Sequence, residues 1–85
     1  MRIKVVERKL GRHCHTKGMK MFGQAWVGDG LVEIDPRQSP KERMDTLIHE
    51  CLHLLYPEES EEAVSSAGTS IARVLWRDGY RRVEE

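Results

Sequence analysis

Cysteine is scarce in this sequence: Cys14 and Cys51 are the two it has in 85 residues. That excludes a secreted scaffold stapled by several disulfides, and both read as reduced thiols. Long apolar runs are lacking too. No stretch approaches the roughly 20 residues that span a bilayer, and the polar, basic start does not read as a secretory signal. A cytoplasmic location with no membrane association is expected. Net charge is also missing, since 14 Lys and Arg balance 14 Asp and Glu. A zero balance implies no global attraction to nucleic acid or acidic lipid. The charges are uneven, however. Arg2, Lys4, Arg8, Lys9, Arg12, Lys17 and Lys20 face Glu7 alone, and Glu58, Glu59, Glu61 and Glu62 crowd one short stretch. The basic end reads as a solvated surface and not as a nucleic-acid patch. The length gives one small domain, residues 1–85, with a thin core that gains stability from a bound metal.

What is present is a motif. His49, Glu50, Cys51, Leu52 and His53 form H-E-x-x-H. On a helix, residues four apart lie one turn above each other, so the two imidazoles can share one zinc ion. Glu50 stands about 100° round the helix from His49. It can reach a water on the metal without competing as a ligand, which is the arrangement of metal-assisted hydrolysis. The pattern also arises by chance on solvated helix faces. Here Leu47, Ile48, Leu52, Leu54 and Leu55 surround it, and histidines on a largely buried helix need partners.

The remaining pattern predicts an α+β domain with a short three-stranded sheet and two helices. Alternation predicts strands over residues 2–7, 21–27 and 31–35, the last two joined as a hairpin through Gly28, Asp29 and Gly30. Leu31, Glu33 and Asp35 fall on one side of the third strand, Val32 and Ile34 on the other. Residues 8–20 read as a polar loop. Ser39, Pro40 and Glu42 make an N-cap, a first-turn proline and a capping box, and Pro57 stops that helix. Its stripe of Met44, Ile48, Cys51 and Leu55 is expected to face the sheet, with Cys51 as packing and not a ligand. A second helix reads from about Ser60 to Asp78, stopped by Gly79, with Val64, Gly68, Ile71, Ala72 and Leu75 as its buried stripe. Gly68 on that stripe would allow close helix approach. The tail from Tyr80 reads as a short strand or a surface segment. Free sheet edges make a homo-oligomer compatible with this architecture.

Hydrolytic zinc takes three protein ligands and a water. The longer H-E-x-x-H-x-x-G-x-x-H pattern fails, because Tyr56 stands at the Gly position and Glu59 at the final His. A glutamate from the following helix is the alternative. Glu61 precedes Val64 by three, Gly68 by seven and Leu75 by fourteen, which puts it on the buried stripe. It is favoured over Glu62 and Glu59. His13, Cys14 and His15 form a second group of metal-capable residues, read as a loop near the site, with a second metal as the minority reading.

The run from His49 to Pro57, then Ser60 and Glu61, and the terminal Leu75, Trp76, Arg77, Asp78, Gly79, Tyr80 and Arg81, resembles a group of very small gluzincin-type zinc metallopeptidases from bacteria and phage. The resemblance covers roughly residues 31–82. It implies a pared-down zincin-like domain, with zinc on His49, His53 and Glu61 and with Glu50 as general base and acid. It implies a peptide or protein substrate bound along an edge strand, for which the hairpin over residues 21–35 is the candidate. Tyr56, Tyr80 or an arginine would supply the oxyanion donor. Two other function classes compete. One is a zinc-stabilised binding module without turnover, closed by a fourth ligand from His13, Cys14 or His15. The other is a nucleic-acid binder using the basic end.

Overall fold

The computed structural model describes residues 2–10 and 22–83. It is a small α+β domain of three strands and two helices: β1 (Lys4–Glu7), β2 (Gly23–Trp26), β3 (Leu31–Ile34), α1 (Pro40–Leu55) and α2 (Glu61–Arg77). The predicted hairpin forms, with β2 antiparallel to β3 and Gly23 opposite Ile34. Its connection is a 3-10 turn, Val27–Asp29, closed by Gly30 at φ 61°. Only a residue without Cβ adopts that left-handed conformation cheaply. β1 lies parallel to β3 on its other side, giving the order β1-β3-β2. β3 is thus central, and β1 and β2 each keep an edge unpaired among the described residues. The loop expected over residues 8–20 is irregular at 8–10 where it is described, and the His13, Cys14, His15 group lies outside the described residues.

Period-two alternation holds on β3. Val32 and Ile34 are fully buried and pack with Leu54, against which Ile3, Ala25, Leu47 and Cys51 also rest. The opposite face is buried as well, although it carries acids. Glu33 receives Arg8 Nε at 2.7 Å and Trp26 Nε1 at 2.7 Å. Asp35, 2% exposed, receives the Leu10 amide at 2.9 Å and Arg37 NH2 at 2.6 Å. Buried carboxylates are tolerable when paired and hydrogen-bonded in this way. Leu10, assigned from sequence to a polar loop, is therefore a core residue, held by the same clasp that also ties Arg37 to its carbonyl.

Helix α1 begins as its sequence dictates, with Ser39 and Glu42 forming the reciprocal capping box. Its buried face is corrected. Leu47, Cys51 and Leu54 meet the sheet core, while Leu55 is 49% exposed. A single expected stripe supposes one packing partner, but α1 has two, the sheet and α2. Cys51 is packing, as expected, and burial pushes its thiol up. Helix α2 is N-capped by Ser60 and followed by Gly79 at φ 89°. Val64, Gly68 and Ala72 are buried, whereas Ile71, expected in that stripe, is 43% exposed. Gly68 faces His49: a Cβ built there would stand 3.5 Å from the His49 Cα, an ordinary contact. The tail from Tyr80 to Val83 forms no strand. It lies on the surface, with Arg82 on Glu7 at 3.1 Å. No helix among the described residues is long and apolar enough to cross a membrane.

Candidate metal centre

The second half of α1 and the first turn of α2 bring three donors together. His49 and His53, one helical turn apart, turn their Nε2 atoms to within 3.1 Å of each other. Glu61 reaches across from the next helix, with Oε1 2.9 Å from His49 Nε2 and Oε2 2.8 Å from His53 Nε2. The imidazole side chains are 18% and 24% exposed. α2 passes over His49 at Gly68. Thr69 Oγ1 ties the two helices by donating to Asp45 Oδ2 at 3.3 Å.

These donors suit a metal ion. Two imidazole nitrogens that face each other at 3.1 Å cannot both present lone pairs without a proton or a cation between them. Corners of a tetrahedron about 2.0 Å from a central zinc lie about 3.3 Å apart. The observed separations of 2.8 to 3.1 Å are close to that. The set is nitrogen, nitrogen and carboxylate oxygen, a combination that zinc accepts. His49, His53 and Glu61 are the one such group of three among the described residues. Glu61 continues the α2 stripe, as its spacing predicts. Yet its side chain is 69% exposed, because it stands at the helix's open N-terminal end. Glu59 and Glu62, the competing candidates, are exposed and do not join the group.

Glu50 stands outside the donor set, between α1 and β2. Burial pushes its carboxyl above the ordinary value and the nearby Glu61 adds to this, while the two histidines pull the other way. Sequence reading passed over the significance of Gly23, which leaves the room Glu50 occupies. A Cβ built on Gly23 would come 2.8 Å from Glu50 Cγ and 2.6 Å from Thr46 Cγ2. An isolated glycine in a strand often marks a close approach, and that is the signal here. Gly23→Ala should lower stability by about 1–3 kcal/mol through overpacking, measured by denaturant unfolding. An unchanged midpoint would show that Thr46 and Glu50 give way freely.

The oxyanion candidates separate. Tyr56 caps the end of α1, three residues past His53. Tyr80 lines a different cavity beside Arg43 and Met44. No protein family, curated protein or solved structure matches this chain.

Proposed function

We propose that this chain is a zinc-dependent hydrolase, a minimal zincin-like metallopeptidase of the gluzincin kind. The observation that carries the reading is the convergence of His49, His53 and Glu61 on one point, with Glu50 outside the group yet near enough to feel the charge of all three. His49, His53 and Glu61 would hold the ion. Bound there, zinc supplies Lewis acidity that polarises a carbonyl and acidifies water.

The chain's own residues supply the rest. Glu50 is the proton carrier: its carboxylate takes a proton from the attacking water and returns it to the departing amine. The absence of a side chain at Gly23 makes room for Glu50 between α1 and β2. β2 is an outer strand among the described residues, so an extended peptide can add to its outer edge through main-chain hydrogen bonds. A cavity of about 420 Å³ lined by Phe22, Asp45, Thr46 and Thr69 adjoins that strand.

Zinc added to the metal-free chain should bind one equivalent. At free zinc a hundredfold above Kd, the melting temperature should rise by roughly 10–20 °C. His53→Ala should lose both effects. Calorimetric titration and thermal melts measure this. A chain that binds no zinc, or melts identically with and without it, would remove the reading.

A further inference from the structure

At the other end of α1 from His53, a cavity of about 500 Å³ lies between the first turns of that helix, the end of β1 and the segment following α2. It shares no lining residue with the metal centre. Its lining includes Pro36, Pro40, Met44, Leu47 and the ring of Trp76, an apolar wall in a volume typical of small-ligand sites.

The charges on it are one-sided. Among the described residues, Arg43, Arg81 and Arg82 line it with one acid, Glu7. Arg82 holds the Glu7 carboxylate with two bonds, at 3.2 and 3.1 Å. Arg81 is spent differently: it lies 3.4 Å over the Trp76 ring and donates to the Trp76 and Tyr80 carbonyls. Arg43 is the anomaly. Its side chain is only 16% exposed, yet its one side-chain bond among the described residues is a long contact of 3.4 Å from Nε to Glu7. A guanidinium carries five donors, and a cation so far withdrawn from water is costly unless those donors are met. No side-chain nitrogen here is both fully enclosed and unpartnered, so the terminal nitrogens of Arg43 keep contact with water, and the residue lines the cavity.

We propose that this cavity binds a small organic carboxylate with a flat apolar body. The body lies against Met44, Leu47 and the Trp76–Arg81 stack, and the carboxylate takes the unmet donors of Arg43. A carboxylate fits the guanidinium fork in a two-bond geometry. The arginine cluster already demonstrates that it accepts this group, because Glu7 is one. Glu7 also competes for the same cations, so it sets the affinity.

The test uses the whole chain, phenylacetate as the probe and phenylacetamide as its uncharged match. Binding is followed by NMR shifts of backbone amides and of the two indole N–H groups. Phenylacetate should bind saturably, move the Trp76 indole and leave that of Trp26 in place. The amide should bind about tenfold more weakly, the scale of one lost charged contact. Arg43→Gln should weaken phenylacetate by a similar factor, and Glu7→Gln, which removes the competitor, should tighten it. Equal affinity for acid and amide overturns the proposal, as does undiminished binding by folded Arg43→Gln or a response centred on Trp26. The acid–amide comparison is made on the unaltered chain, so it decides the question even if Arg43→Gln does not fold.

Discussion

In zinc-loaded protein, Glu50→Gln should lower peptide hydrolysis by about 10²–10⁴-fold while zinc binding stays at one equivalent with unchanged affinity. The separation follows from position. Glu50 contributes no atom to the group of His49, His53 and Glu61, so the amide leaves those donors untouched. Glutamine keeps the size of the side chain, which matters because the space it fills is the space a side chain on residue 23 would need. What it loses is the ability to take up and release a proton. In the metal-free chain burial makes this carboxyl costly to ionise, so there the variant should fold at least as stably. Cleavage of a mixed peptide pool, read by mass spectrometry beside a metal assay, measures both quantities. Equal cleavage by the variant would end the role assigned to Glu50.

Asp35→Ala should cost about 2–3 kcal/mol of stability at neutral pH, far more than a surface substitution. The side chain is buried, and it joins three separate segments: the Leu10 amide after β1, the end of β3, and Arg37 before α1. Removing it strands the Leu10 N–H and leaves Arg37 facing a gap. The pH dependence has a definite sign. Hydrogen bonds from Arg37, with the backbone amides of Arg37 and Leu10, hold the Asp35 carboxyl well below the usual range. Its contribution is therefore complete above the ordinary aspartate value of about 4 and is lost as pH falls below that, toward the depressed folded value. Denaturant midpoints of the unaltered chain and of the variant should differ most at neutral pH and draw together as pH falls from about 4. A constant gap down to strongly acidic pH would show that the clasp stabilises by packing alone.

Much of the fold is set by short-range signals. The capping box at Ser39 and Glu42, the proline after Tyr56, the Ser60 cap and Gly79 each satisfy or end a run of backbone hydrogen bonds within a few residues, so they are legible along the chain. The alternation on β3 is equally local, because neighbouring side chains must point to opposite faces. The spacing of His49, Glu50 and His53 fixes their relation on a helix whatever that helix packs against, and the stripe through Val64 and Gly68 picks Glu61 from its acidic neighbours.

Other features depended on which segments meet across the fold. No local rule brings β1 beside β3 in parallel, turns Leu10 inward, or buries Glu33 and Asp35 under Arg8, Trp26 and Arg37. The buried face of α1 was misjudged at Leu55 because the helix divides its surface between the sheet and α2, and periodicity alone records apolarity without saying which partner receives it. Likewise a glycine in a strand is ambiguous until the helix above it is placed. Only then does Gly23 become the gap that admits Glu50. Local chemistry wrote the helix ends and the ligand spacing, because those interactions close within one or two turns. Long-range packing chose the place of β1 beside β3, the contacts of Arg8 with Glu33 and of Leu10 with Asp35, and the cavity at Arg43, since those partners lie tens of residues apart and meet only when the chain is folded.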